Sequence, residues 1–238
     1  MIAIISYLHT CFMRSYRYGP AAFVFFMGII FVYSVVPNPV MASYAFSTTF
    51  IFIIAAVLCY ALIDIETGNQ ESVTVLHSGS LVKLYVSKLL YCWLFTTPLT
   101  LYAVVFPAIF QKFDRNPSVE ELGMSLIYHL AASWLGIALA CWFSSKFIRS
   151  RVMSFLMLSV LVVITLSVQG MEQLLPDGFK NMIVLLPPLN SVVHVLVHYD
   201  SQTPLHKLLA VIAPLVYGAV ITGLFLVIIH RRKLDSMH

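Results

Sequence analysis

Six apolar runs, each close to or above the length needed to cross a bilayer, constrain this chain more than any other feature. They lie at about Pro20 to Val36, Ala42 to Ile63, Leu89 to Phe110, Leu122 to Phe143, Val152 to Val168 and Leu208 to Ile229. A helix rising 1.5 Å per residue needs ~17 to 25 apolar residues to span about 30 Å of hydrocarbon. With 60% hydrophobic and only 10% charged residues, the chain carries more apolar surface than a soluble fold can hide. Pro98, Pro107 and Pro214 fall inside runs, which a membrane helix tolerates when neighbours satisfy the freed carbonyl. The expected class is an all-α integral membrane protein with six transmembrane helices, forming one domain over residues 1–238.

Basic residues set the orientation, because lysine and arginine in short loops favour the cytoplasmic side. With the amino terminus inside, the inner set is Arg14, Arg17, Lys83, Lys88, Lys146, Arg149, Arg151, Arg231, Arg232 and Lys233. The outer set is only Lys112, Arg115, Lys180 and Lys207. Acids divide the other way, with Asp64, Glu66, Glu71 and Asp235 inside and Asp114, Glu120, Glu121, Glu172, Asp177 and Asp200 outside. Both termini are therefore expected in the cytoplasm of a multi-pass protein of the cell membrane. The basic residues form no long stripe, so nucleic acid is not an expected partner.

The opening segment carries its positive charges after its brief apolar part, the reverse of a cleaved signal peptide. Ile2, Ile5, Leu8, Phe12, Arg14 and Arg17 distribute around an amphipathic helix, expected over residues 1–18 at the inner interface. Cys11, Cys59, Cys92 and Cys141 lack CxxC spacing and read as small hydrophobes.

Two segments are not spans. Asp64 to Lys88 is too polar for hydrocarbon; Gly68 and Asn69 permit a turn, and Glu71 to Leu76 suit a short helix before the break at His77 to Ser80. The second, residues 169–207, contains two apolar patches too short to cross alone, before Pro187 and at Val192 to Val197. Short re-entrant or interfacial helices on the outer side are expected there. His194 and His198, at i and i+4, share a helical face, with His206 nearby in sequence. Two imidazoles fall short of the three or four ligands of a dependable zinc site, so no metal is expected. His129 stands alone in a span, where packing or a helix–helix hydrogen bond is the simplest role.

The span centres are nearly free of charge, which argues against a proton- or sodium-coupled carrier. No GxxxxGK[ST] phosphate loop and no Ser/His/Asp nucleophile set is present. The chain is not expected to be an enzyme, and any ATP-driven step would need another chain's ATPase.

Glu66, Thr67, Gly68 and Glu71, followed by Leu76 to Ser80 and then Lys88, Leu89 and Leu90, supply a more specific pattern. With the six-span plan, it resembles the membrane subunit of ABC-2-type transporters: an acid before a Thr-Gly turn, a short helix with an internal acid, and a lysine entering the third span. Asp64 and Ile65 depart from the basic residues many members carry there, and Ser78 and Gly79 stand where a proline is common. The resemblance implies a coupling helix within residues 65–80. It also implies a dimer with a second permease copy or homologue, and cytoplasmic ABC ATPase subunits holding ATP and magnesium, with no cofactor in this chain. Glu66, Thr67, Gly68, Glu71, Val73, Thr74, Val75, Leu76 and His77 are then the expected coupling residues, with Glu71 engaging a basic residue of the ATPase.

Phe23, Phe26, Phe50 and Tyr60 provide aromatic faces for a dimer interface or for the path of an amphipathic substrate such as a hydrophobic peptide or lipid-like molecule. The resemblance implies export. Two other classes stay open: a non-transporting scaffold or sensor, and a membrane enzyme built on the His194/His198 region.

Overall fold

A computed structural model describes residues 1–174 and 185–235, without the side chains of residues 169, 171–174 and 232–235. The helices are α1 (Ile2–Ser15), α2 (Gly19–Val32), α3 (Val40–Ile63), α4 (Gly68–Ser78), α5 (Leu81–Ile109), α6 (Val119–Ala140), α7 (Arg151–Leu174), α8 (Leu189–Val197) and α9 (Pro204–Asp235). Five of them, α3, α5, α6, α7 and α9, contain stretches long and apolar enough to cross a membrane. The pair α1 and α2, bent by 79°, brings the number to as many as six. The chain is a polytopic, largely helical membrane protein.

Several boundaries differ from the sequence expectation. α5 begins at Leu81 rather than near Leu89, because the amphipathic stretch before the span continues the same helix from a Ser80 cap. α4 begins at Gly68, where a turn was expected; Thr67 and Gln70 close a capping box that draws Gly68 and Asn69 into the first helical turn. It ends at Gly79, whose φ of 76° is the left-handed stop glycine adopts without a Cβ clash. In the region from 169 to 207, the short α8 forms as expected, whereas the apolar patch before Pro187 lies largely outside the described residues.

The core sits where α3 packs on α6. Small residues let the backbones approach: a Cβ on Gly136 would run into the Phe52 carbonyl oxygen, and Ala55, Ala56, Ala131, Ala132, Ala138 and Ala140 are buried around it. At this seam His129 is fully buried, 2.8 Å from Ser47 Oγ through Nε2 and 2.7 Å from the Ser125 carbonyl through Nδ1. Nδ1–H donating to Ser125 leaves Nε2 to accept from a serine, so a neutral imidazole joins two spans, as the sequence suggested. All four cysteines are free, with Cys59, Cys92 and Cys141 buried.

The two ends of the bundle differ in charge. One gathers α1, α4, the 144–150 loop and the last turns of α9, and carries Arg14, Arg17, Lys83, Lys146, Arg149, Arg151 and Arg231. The other gathers the α2–α3 and α5–α6 connections and the 198–207 segment. There Asn38 pairs with Phe113 in an isolated bridge, Glu121 meets Arg115, and Glu120 accepts the Tyr199 hydroxyl. These are called the basic and acidic ends below.

Candidate functional site

The basic end is built around α4. None of its residues is buried, so apolar packing cannot hold it in place. Polar ties do. Glu66, in the turn between α3 and α4, lies with its Oε2 3.0 Å from Lys88 Nζ of α5, and both side chains are only 1% exposed. Lys88 also donates to the Ile63 carbonyl at the end of α3 (3.0 Å), and Thr74 of α4 donates to Glu66 Oε1 (2.6 Å). One carboxylate thus connects α3, α4 and α5. A lysine and a glutamate this deeply buried tolerate desolvation because each neutralises the other, with one further hydrogen bond to Glu66 Oε1 from Thr74 and one from Lys88 to Ile63.

Two more ties frame α4. Glu71 pairs with Lys146 at 2.9 Å, and Asp64 accepts from the Ser145 backbone N–H (2.7 Å) and hydroxyl (2.8 Å). Both reach the loop between α6 and α7, so α4 and the end of α3 are tied to that loop as well. Arg17, just after α1, donates to the Asp64 carbonyl at 3.3 Å.

Of the expected coupling residues, Glu66 is therefore internal, Glu71 already has a cationic partner within the chain, and Thr74 is the link between α4 and Glu66. Thr67 caps the helix and Gly68 is its first residue. Val73 (54% exposed), Leu76 (81% exposed) and the exposed His77 face outward, while Val75 is half-buried. Beside them a mostly apolar groove of about 560 Å³ runs between α1 and α4, walled by Ile4, Tyr7, Val73, Thr74 and His77. Sequence reasoning missed Ser145, took Lys146 only as an orientation signal, and read Lys88 as an orientation signal and as the lysine entering the third span rather than as the partner of Glu66. The Thr67-x-x-Gln70 capping signal was available.

The aromatic candidates do not converge on one lining. Phe23 is 65% exposed on α2, Phe26 packs edge-on against Tyr102 of α5, and Phe50 stacks on Phe25. Tyr60 donates to the Arg151 carbonyl at 2.8 Å, joining α3 to the start of α7. At the acidic end, His198 closes α8 and stacks with His194 at 4.6 Å between ring centroids. Among the described residues no group of three or more His, Cys, Asp or Glu side chains is arranged to hold a metal ion. A cavity of about 600 Å³ lies between α8 and α9, lined by Asn190, His194, Gln202 and His206 on an apolar floor that includes Val195 and Leu209.

The acidic end holds a second charged cluster. Arg115 forks onto both oxygens of Glu121, which also accepts from the Ser118 N–H and so caps α6. Lys207 Nζ sits 3.5 Å over the Tyr199 ring, and Tyr199 donates to Glu120 at 3.1 Å. Burial, then that hydrogen bond to Glu120, raises the Tyr199 phenol above its ordinary range.

No known relative decides between the functional readings. Comparison with known proteins returns no matching family model, no matching curated protein and no matching solved structure.

Proposed function

We propose that this chain is the permease subunit of an ATP-driven exporter of the ABC-2 type, and that α4 is the helix through which a separate cytoplasmic ATPase moves the spans. The observation that carries the reading is the pairing of an outward-facing surface with a buried anchor. Val73, Leu76 and His77 are presented to solvent, and the other side of the same short helix is tied through Thr74 and Glu66 to Lys88 at the head of a 29-residue helix. A push on α4 is transmitted to α3 and α5 because all three share one carboxylate.

In this reading the basic end faces the cytoplasm and α1 lies along the inner interface. α8 and its neighbours face outward, and ATP and magnesium belong to the partner. Val73, Leu76 and His77 touch the ATPase, whereas Glu66 and Glu71 work inside the permease. A second permease copy completes the path, and the substrate is amphipathic or hydrophobic, in keeping with apolar, nearly charge-free spans.

The test is mass spectrometry of proteins retained on the full-length chain after gentle detergent purification from its native cells, with an ATPase assay of the complex. The expected result is a roughly stoichiometric ATP-binding protein, lost from a Val73→Asp/Leu76→Asp variant whose thermal unfolding matches wild type. Recovery of the intact chain without an ATPase would favour a scaffold or sensor and overturn the proposal.

A further inference from the structure

At the basic end, acids and bases are unevenly satisfied. Asp64 is taken by Ser145, Glu66 by Lys88 and Thr74, and Glu71 by Lys146. The described acids of that end thus have partners inside the chain. Among the described residues of that end, Arg231, His230 and Lys83 pair with no acid, and neither do Arg14, Arg17, Arg149 and Arg151. Of these, His230 and Arg231 lie in the last turns of α9 and Lys83 in the first turn of α5.

A groove of about 340 Å³ lies between those turns. Val82 of α5 and Leu226 and Val227 of α9 form its wall, and His230 and Arg231 stand at its end. Val227 is 51% exposed on a helix apolar enough to cross the membrane, so the wall continues a lipid-facing surface. Arg231 stands two residues after Ile229, where the apolar run of α9 ends in the sequence and hydrocarbon gives way to headgroups. Lys83, next to Val82, is exposed on the opposing helix.

We infer that this groove is a binding site for an anionic phospholipid, one acyl chain lying along Val82, Leu226 and Val227 and the phosphate meeting Arg231 with His230 and Lys83 around it. An apolar wall ending in unpaired cations matches a phospholipid, whose phosphate accepts charge-assisted hydrogen bonds from a guanidinium fork. A zwitterionic lipid offers the same chains and phosphate but brings its own cation to an already cationic site. Basic pockets between membrane helices at one leaflet recognise anionic headgroups on this principle. A soluble phosphate would forgo the apolar wall. The inference requires only that the chain be embedded in a membrane, and holds whatever the chain transports.

The experiment is native mass spectrometry of the full-length protein from mixed micelles containing phosphatidylglycerol and phosphatidylcholine of identical acyl chains. Phosphatidylglycerol is expected to be retained at least tenfold over phosphatidylcholine. Arg231→Gln should bring that ratio near one, while Arg14→Gln, which removes the same charge elsewhere on that end, should leave it intact. Val227→Trp, which fills the groove without changing charge, should also lower it. Equal retention of the two lipids by wild type would overturn the site. Equal losses in Arg231→Gln and Arg14→Gln would reduce it to general surface charge. Displacement of the lipid by millimolar glycerol phosphate would overturn the part played by the acyl chain.

Discussion

Glu66–Lys88 and Arg115–Glu121 join the same two kinds of charge at opposite ends of one bundle, and they do different work. The first is sealed, with both side chains 1% exposed, and links residues on either side of α4. The second is local, six residues apart, with its arginine side chain 50% exposed. Water reaches the arginine but hardly Glu121, whose side chain is 7% exposed; the half-solvated arginine weakens the pair, which serves here to complete the α6 cap. A buried pair is no great source of stability compared with apolar residues of the same shape, yet losing one member strands a charge. What the sealed pair supplies is position: it tells α4, which has no buried residue, where to sit.

Lys88→Met breaks the comparison hardest. Stranding Glu66 should cost ~3–5 kcal/mol, read as a large drop in the detergent unfolding midpoint. The double variant Lys88→Met/Glu66→Leu should regain most of that stability, since no charge is left buried. A double variant no better than the single would mean that the pair stabilises outright.

His129→Leu asks whether a buried but uncharged polar contact behaves like the sealed pair. Ser47 keeps the Tyr44 carbonyl as an acceptor at 3.2 Å, but the buried Thr48 hydroxyl, 3.1 Å from Nδ1, loses its partner, so the loss should be about 1–3 kcal/mol. A loss as large as that of Lys88→Met would place the anchoring at midplane instead. Arg115→Gln should lower the midpoint by less than His129→Leu and by a smaller amount in high salt, because the arginine is screened. Tyr85→Phe sharpens the basic end: the Tyr85 ring lies 5.0 Å from Lys88 Nζ, but its buried hydroxyl has no hydrogen-bond partner among the described residues. Removing that oxygen should leave the midpoint unchanged or slightly raised.

The same contrast explains how much was legible in the sequence. Five spans were readable because bilayer thickness imposes a length on apolar runs, and α3, read from Ala42, begins at Val40; the run read from Pro20 to Val36 forms only the 14-residue α2 and reaches span length only together with α1. The short α8 and the helix–helix role of His129 followed from local pattern alone. Contacts fixed by tertiary packing left no such mark. Nothing near Glu71 points to Lys146, and Asp64 gives no hint of Ser145, because those partners arrive from the other side of α6. Near the start of α5 a related limit holds: the amphipathic run from Leu81 into the span was legible, but not that Lys88 is buried by its partner rather than by its own character. The aromatic residues of α2 and α3 were legible as bulky and apolar, but not as separate packing contacts.

The most direct measurement is hydrogen exchange of the full-length protein in lipid nanodiscs, comparing wild type, Lys88→Met and Arg115→Gln. If the sealed pair positions α4, Lys88→Met should speed exchange at the amides of residues 68–78 and leave the α3–α6 core protected, while Arg115→Gln leaves α4 as in wild type. Unchanged α4 exchange in Lys88→Met, or equal acceleration by both variants, would contradict the account.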